Sequence, residues 1–364
     1  MIPPIRPAAD CRFDIVALGE VMLRFDPGDR RVRSARSFDV WEGGGEYNVA
    51  RALAKGFGWR AGVVTALPRN DLGLLTDDLI AQGSVDRSRI VWRDFDGVGR
   101  NTRIGLNFTE RGFGVRPALG VSDRANSAAS QMRPGEVNWD DLFGREGVRW
   151  LHTGGIFAAL SETTAALTVE AVEAAKRHGV IVSYDLNYRA SLWNAHPDPE
   201  AARTVNRRIA ASVDLMIGDA YGFKSCLGLE TPKVEAGGPL DPAPFEAAAR
   251  AFRTAFPNVA MVASTLRGVE TAGRNDWCGA LLDGDRMHVA RPMDGLDIYD
   301  RIGGGDGFAS GIIHALLAGK DAGAAVEYGV AHGALAMTTP GDTSMATLAE
   351  VEALVAGTGA RVIR

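Results

Sequence analysis

Apolar and polar positions alternate along this chain in two registers. Short, nearly continuous apolar runs stand at 13–22 (FDIVALGEVM), 61–68 (AGVVTALP), 148–156 (VRWLHTGGI), 179–187 (GVIVSYDLN), 214–219 (DLMIGD) and 259–267 (VAMVASTLR). Runs of this length predict strands buried on both faces. Between them, residues 46–57, 161–179 and 243–256 repeat apolar positions at helical spacing. That alternation predicts βαβ units, and hence an α/β fold: a doubly wound, mainly parallel sheet with helices on both faces. Ligands of such sheets sit at the carboxyl ends of the strands.

Two regions break the rhythm. No helical pattern occurs at 30–42. Around 90–122, RIVWR, TRIGLNFTE and ALGVSDR follow one another as strand-like runs. Both regions predict strands of a small separate sheet lying over the main domain. Residues 1–12 read as a loose tail, and 13–364 as one domain. The Gly/Pro-rich stretch 230–244 reads as an exposed loop.

Composition narrows the classes. Of 364 residues, 46% are hydrophobic and 23% charged, with a net charge of -5. That balance supplies no basic field for nucleic acid or an anionic membrane, so neither is expected as a partner. Cys11, Cys226 and Cys278 are far apart and form no C-x-x-C pair. A disulfide framework or zinc site is not expected, and a cytoplasmic location fits. The start of the chain carries no signal-peptide pattern and no run long enough to span a membrane.

The chemistry concentrates at 300–311, DRIGGGDGFASG, where three glycines run into Asp306 and a helical stretch follows. Gly303, Gly304 and Gly305 expose backbone amides that suit phosphate oxygens at a helix start. A carboxylate in the same place can take a proton from an attacking hydroxyl. Phosphoryl transfer needs both. The competing reading of Asp306 is a helix N-cap. The P-loop, dinucleotide, nucleophile-elbow and H-E-x-x-H signatures are all absent.

DRIGGGDGFASG resembles the C-terminal signature of the ribokinase-like (PfkB) carbohydrate kinases. WEGGGEYNVARALAKGFG (41–58) resembles their N-terminal one. The segments SDRANSAAS (122–130), SYDLNYRASLW (183–193) and MTTPGDTSMATLAEVEAL (337–354) look most like those of 2-keto-3-deoxygluconate kinases. The resemblance implies the ribokinase-like fold with a small β-sheet lid over the sugar. It also implies ATP-dependent phosphorylation of a keto-sugar acid such as 2-keto-3-deoxygluconate. Alternatives are another carbohydrate kinase of the family (for fructose, ribose or a related sugar) and a non-catalytic sugar or nucleotide sensor.

Roles follow by resemblance. Asp306 is the catalytic base, and Gly303, Gly304 and Gly305 form the anion hole. Gly43 and Gly44 let the backbone approach the sugar, while Asn48 bonds to it or caps a helix. Arg189 and Arg124 are candidates to hold the substrate carboxylate, which suits a guanidinium fork. Asn107 and Ser122 stand at lid-side positions that often carry tyrosines in these kinases. DAYG, from Asp219 to Gly222, replaces the usual N-x-x-E, so Asp219 is the candidate there to help order magnesium. TLRG replaces the usual Thr-x-Gly of the nucleotide loop, giving Thr265, Arg267 and Gly268. Mg2+ is implied by the reaction, a monovalent cation is possible at Asp300, and no residue is assigned as a metal ligand. His332 reads as a packed helix residue. A homodimer joined through the lid is expected.

Overall fold

The computed structural model describes residues 2–194, 196–232 and 240–358. The 230–244 loop expectation, and the two ends of the 1–364 assignment, lie partly outside these residues. The strands are β1 (Ile15–Leu18), β2 (Met22–Asp26), β3 (Asp39–Gly43), β4 (Ala61–Pro68), β5 (Asp86–Arg93), β6 (Leu106–Glu110), β7 (Leu119–Asp123), β8 (Trp150–Gly154), β9 (Ile181–Asp185), β10 (Leu215–Ile217), β11 (Met261–Thr271), β12 (Arg274–Asp283), β13 (Arg286–Val289) and β14 (Met293–Asp297). The helices are α1 (Gly45–Arg51), α2 (Asp71–Gln82), α3 (Gly155–Ala158), α4 (Glu162–Arg177), α5 (Ala190–Trp193), α6 (Ala201–Ala210), α7 (Ala220–Leu227), α8 (Ala243–Ala255), α9 (Gly304–Leu317), α10 (Ala322–Ala336) and α11 (Leu348–Val355).

Among the described residues the main sheet has ten strands in the order β13-β12-β11-β10-β9-β8-β1-β4-β5, with β14 also on β12. From β11 to β5 every pairing is parallel. The strands β12, β13 and β14 join antiparallel. Pleating splits β1 between two cores: Val16 and Leu18 face the one with α4 and α8, while Ile15 and Ala17 face the one with α1, α9 and α10. Continuous apolar runs fit this geometry, because a strand covered by helices on both sides has no polar face.

A second sheet runs β3-β2-β6-β7. Its membership corrects two expectations. The run 13–22 is not one strand: the chain leaves β1 at Leu18, turns through Gly19–Val21, and enters the small sheet at Met22. RIVWR belongs to β5, which pairs in parallel with β4 at the edge of the main sheet. From 30–42 only Asp39 onward is strand. Residues 2–12 are not a loose tail either. Ile2 and Ile5 pack on the core, Arg6 donates to the Phe143 carbonyl at 2.6 Å, and Cys11 is buried. All three cysteines are free thiols in buried positions. No helix among the described residues is long and apolar enough to cross a membrane.

Candidate functional site

A cavity of about 620 Å3 opens between the small sheet and the carboxyl ends of the main-sheet strands. Several helix N-termini meet at it, among them those of α1 and α9. Helix α1 begins after Gly44, where a Cβ would overlap the Glu20 carbonyl, so only glycine lets the chain turn there. Helix α9 begins after Gly303, whose φ of 81° is left-handed. A Cβ on Gly303 would overlap the Asp342 carbonyl. The amide of Gly307 is bonded within the helix, to Gly303 O at 2.8 Å. Helix geometry therefore leaves the amides of Gly304, Gly305 and Asp306 without intrahelical partners. They stand at the positive end of α9.

Asp306 is the third residue of α9, so it is not the N-cap; Gly303 is, and Asp306 makes no capping bond. Its Oδ2 accepts from Asn48 Nδ2 at 2.7 Å. Asn48 is likewise no cap, because Gly44 caps α1. The other end of the amide, Asn48 Oδ1, is buried with no partner among the described residues. Burial drives the Asp306 carboxyl up to about 8, against the Asn48 hydrogen bond that lowers it, with Asp185, Asp342 and Glu46 raising it further. Burial likewise lifts Glu46 to about 7 and Asp185 to about 6. A carboxyl that changes charge near neutrality, beside a cradle of free amides, can accept a proton from a hydroxyl placed against it.

The small sheet supplies one wall. Asn107 on β6 and Ser122 on β7 are cross-strand partners, and Ser122 Oγ donates to Asn107 Oδ1 at 3.3 Å. Arg124 also lines the cavity, held by Glu20 through its Nε at 2.9 Å and its Nη2. Arg189 lines the opposite side and is exposed. Its own bond is to the Tyr188 carbonyl at 3.5 Å, and it has no carboxylate partner among the described residues.

Asp219 lines the cavity as the N-cap of α7, accepting from Gly222 N at 2.7 Å. Thr265 and Arg267 line it from β11. Arg267 lies over Trp277 at 5.0 Å from the ring centroid, and burial, then Arg301, lowers its pKa to about 10.

Three expected residues are not on the cavity wall. TLRG is not a loop but part of β11, and strand alternation puts Gly268 out of phase with Thr265 and Arg267. Gly43 packs against the Asp342 side chain. Gly304 packs its Cα against Met337 on the α10 side, and meets the site only through its backbone. Asp300 is not an open carboxylate: Arg24 Nη2 donates to it at 2.5 Å. His332 is buried between Ser310 and Ser344, with burial lowering it to about 3. No group of three or more His, Cys, Asp or Glu suited to a metal occurs among the described residues.

Sequence reasoning passed over Glu46, Asp185, Arg301, Tyr188 and Tyr221, which also line the cavity. Asp185 and Arg301 lay inside the segments already singled out, DLNYR and DRIGGGDG. A second depression, of about 820 Å3, lies at the amino ends of the strands near Arg12, Asp77 and Asp86. Its charges are spent in surface ion pairs such as Arg12–Asp86 and Arg87–Asp77. It holds none of the groups described above.

A parallel sheet with a glycine-led helix N-terminus, a half-buried titrating acid beside it and a second sheet over the cavity defines a phosphoryl-transfer scaffold of the ribokinase type. The pfkB family carbohydrate kinase profile matches residues 12–348, and the chain belongs to that family: it is a sugar kinase. It is 31% identical to the 2-dehydro-3-deoxygalactonokinase of Haloferax volcanii over 96% of this chain and 99% of that protein. The solved 2-dehydro-3-deoxygluconokinase of Thermotoga maritima is 32% identical, with a TM-score of 0.84 over 94% of this chain and 99% of that one. The 5-dehydro-2-deoxygluconokinase of Bacillus licheniformis is 24% identical over 94% of this chain and 96% of its own length.

Proposed function

We propose that this kinase transfers the γ-phosphoryl group of ATP to a hydroxyl of a 2-keto-3-deoxy sugar acid, with 2-keto-3-deoxygluconate the first candidate. The observation that carries the reading is Arg189, a guanidinium with no carboxylate partner among the described residues, which shares one cavity with Asp306. A substrate carboxylate supplies the bidentate partner it lacks. Arg124, oriented by Glu20, offers a second positive group on the facing wall. The names of the relatives above support the same substrate class.

In this reading Asp306 accepts the proton of the sugar hydroxyl as its oxygen bonds to the γ-phosphorus and the bond to ADP breaks. The free amides of α9 face the phosphoryl oxygens, and Arg267 and Arg301 balance charge that builds towards ADP. Asn48 Oδ1 accepts from a sugar hydroxyl, which satisfies an otherwise unpaired buried oxygen. Magnesium enters on the ATP phosphates as part of the co-substrate, with Asp219 and Thr265 beside them. The described residues supply no carboxylate cage that would hold the ion alone. The small sheet acts as a lid that excludes water. Its exposed Phe113, Val115, Leu119 and Val121 support a dimer formed through it, which light scattering at micromolar concentration tests.

The test of substrate is an ADP-release screen over 2-keto-3-deoxygluconate, 2-keto-3-deoxygalactonate, 5-keto-2-deoxygluconate, D-fructose and D-ribose. We expect kcat/KM for a 2-keto-3-deoxy acid to exceed that for either neutral sugar by roughly tenfold or more, as a charge-assisted contact requires. A neutral sugar as the best substrate would overturn the sugar-acid reading and leave the kinase assignment standing.

A further inference from the structure

Arg24 sits in the middle of β2, fully buried, with its guanidinium in a cage of three acids. Nη1 donates to Asp342 Oδ1 at 2.6 Å, and Nη2 to Asp300 Oδ2 at 2.5 Å and Asp26 Oδ2 at 3.3 Å. Arg111 approaches Asp26 at 3.5 Å and lies over Tyr299, adding a second cation at the rim of the cage. Buried charges are expensive and persist where their geometry does something that packing alone does not.

The partners explain what this one does. Asp300 uses its other oxygen, Oδ1, to accept from Ile302 N at 3.1 Å, which shapes the turn entering Gly303. Asp342 lies against both glycine turns of the site: a Cβ on Gly43 would overlap its carboxylate, and one on Gly303 its carbonyl. Across the small sheet, the β6 residue in register with Arg24 is Asn107, on the cavity wall. One guanidinium thus ties the sheet that covers the cavity to the turn that presents the free amides.

We propose that Arg24 is a positioning residue for phosphoryl transfer: its guanidinium, by gripping Asp300 and Asp342, fixes the Asp300–Asp306 turn relative to the small sheet. It touches neither the sugar nor ATP. Its loss therefore acts on kcat through misplaced amides and a misplaced Asp306, rather than on substrate affinity. Displacements of about 1 Å at such centres cost on the order of a hundredfold in rate.

The test is Arg24→Lys, which keeps a buried cation but cannot span two carboxylates at once. Hydrogen exchange is followed across the full chain, alongside kinetics on whichever of the five screened sugars the wild type turns over fastest. We expect exchange to rise at the bonded amides of the 300–307 segment, those of Asp300, Ile302 and Gly307, while β8 and β9 stay protected. We expect kcat to fall roughly tenfold to a hundredfold, with KM for ATP and for the sugar within about threefold of wild type. In Arg24→Gly, guanidinium ion at about 50 mM should restore part of kcat where equimolar urea does not, since only the cation carries the charge-assisted bonds. Unchanged exchange at 300–307 in Arg24→Lys, or a loss confined to the sugar KM, would overturn the proposal. So would exchange raised uniformly over the chain, which is the mark of a purely structural residue. The exchange measurement needs no turnover, so a wrong substrate assignment and a wrong role for Arg24 fail separately.

Discussion

The hydrogen bond from Asn48 to Asp306 makes a quantitative claim about pH. The carboxyl is held near 8 by burial, and Asn48 works against that burial by stabilising the ionised form. A hydrogen bond to a charged group contributes about 1.5–3 kcal/mol, and one pKa unit corresponds to about 1.4 kcal/mol. Asp306 keeps some contact with solvent through the cavity mouth, so the lower end applies, and Asn48→Ala should raise its pKa by about one unit. The proposed base works only when deprotonated. Wild-type kcat/KM should therefore climb about tenfold per pH unit below 8 and flatten above it, while the variant climbs until about 9. At pH 7 the two differ by roughly tenfold through this effect, and at pH 10 the effect vanishes. Loss of the Oδ1 acceptor adds a factor that pH does not alter. The assay is ADP formed at low sugar concentration, quenched and separated by chromatography, from pH 5.5 to 10, under which conditions kcat/KM reports the free enzyme. Two profiles with the same acidic limb, merely displaced in height, would refute the electrostatic role and leave Asn48 a substrate contact alone.

Asp306→Asn should lower kcat by on the order of a hundredfold or more; wild-type rates in that variant would remove Asp306 from the mechanism. The same substitution should raise the thermal midpoint of the empty protein by roughly 2–5 °C at pH 8.5, read by calorimetry. The sign follows from a folded pKa far above the unfolded 3.8: the stabilisation that the neutral acid provides is full below about 3.8, falls as pH rises from there, and is gone above about 8. Arg189→Ala should raise KM for the sugar acid by about tenfold to a hundredfold, while a neutral sugar loses little; equal losses on both would deny the carboxylate contact. Since Asp300 is already paired with Arg24, initial rates in potassium and in tetramethylammonium buffers should agree within about twofold. Strong stimulation by potassium would show that a cation competes for that carboxylate.

The fold was legible wherever a single period ran unbroken. Strand β4 coincides with AGVVTALP, and α4 and α8 fall within a residue or two of the helical spacing that announced them. The errors lie where one apolar run serves two sheets. FDIVALGEVM reads as one strand because Gly19 and Glu20 interrupt hydrophobicity too briefly, although they carry the chain from one layer to the other. RIVWR carries strand propensity but no mark of which sheet it joins, since partner choice is a non-local property. In the site, short motifs singled out Asp306, Asn48 and Arg189, which the fold brings to one cavity, because each sits beside glycines or in a quoted segment. Arg24 escaped notice for a physical reason. A lone arginine in MLRFD reads as the solvent face of an alternating strand, and only the distant Asp300 and Asp342 turn that position inward. Gly268 failed for the reverse reason: its spacing matched a loop motif, while β11 continues through it and sets its face by parity.

The charges of the cavity are only partly paired, and this bears on how one helix end could serve the two tasks proposed for it. Asp306, Glu46 and Asp185 gather where burial raises all three, so at pH 7 Asp306 is mostly neutral, Glu46 about half ionised and Asp185 mostly ionised, and the empty floor carries roughly half of the three negative charges it would otherwise hold. Arg189, Arg267 and Arg301 line the same cavity and have no carboxylate partners among the described residues. An arriving polyphosphate therefore meets unneutralised cations and free amides before it meets full carboxylate charge. Had the three acids been ionised at neutral pH, their repulsion would oppose the anion that the amides of α9 are proposed to receive. Raising the acids by burial removes about half of that conflict at pH 7, and it puts the proposed base near the pH at which a proton acceptor is most effective. Asp306 can then share a helix terminus with a phosphoryl cradle because it is largely neutral when the nucleotide enters, and it becomes an acceptor once it loses its proton.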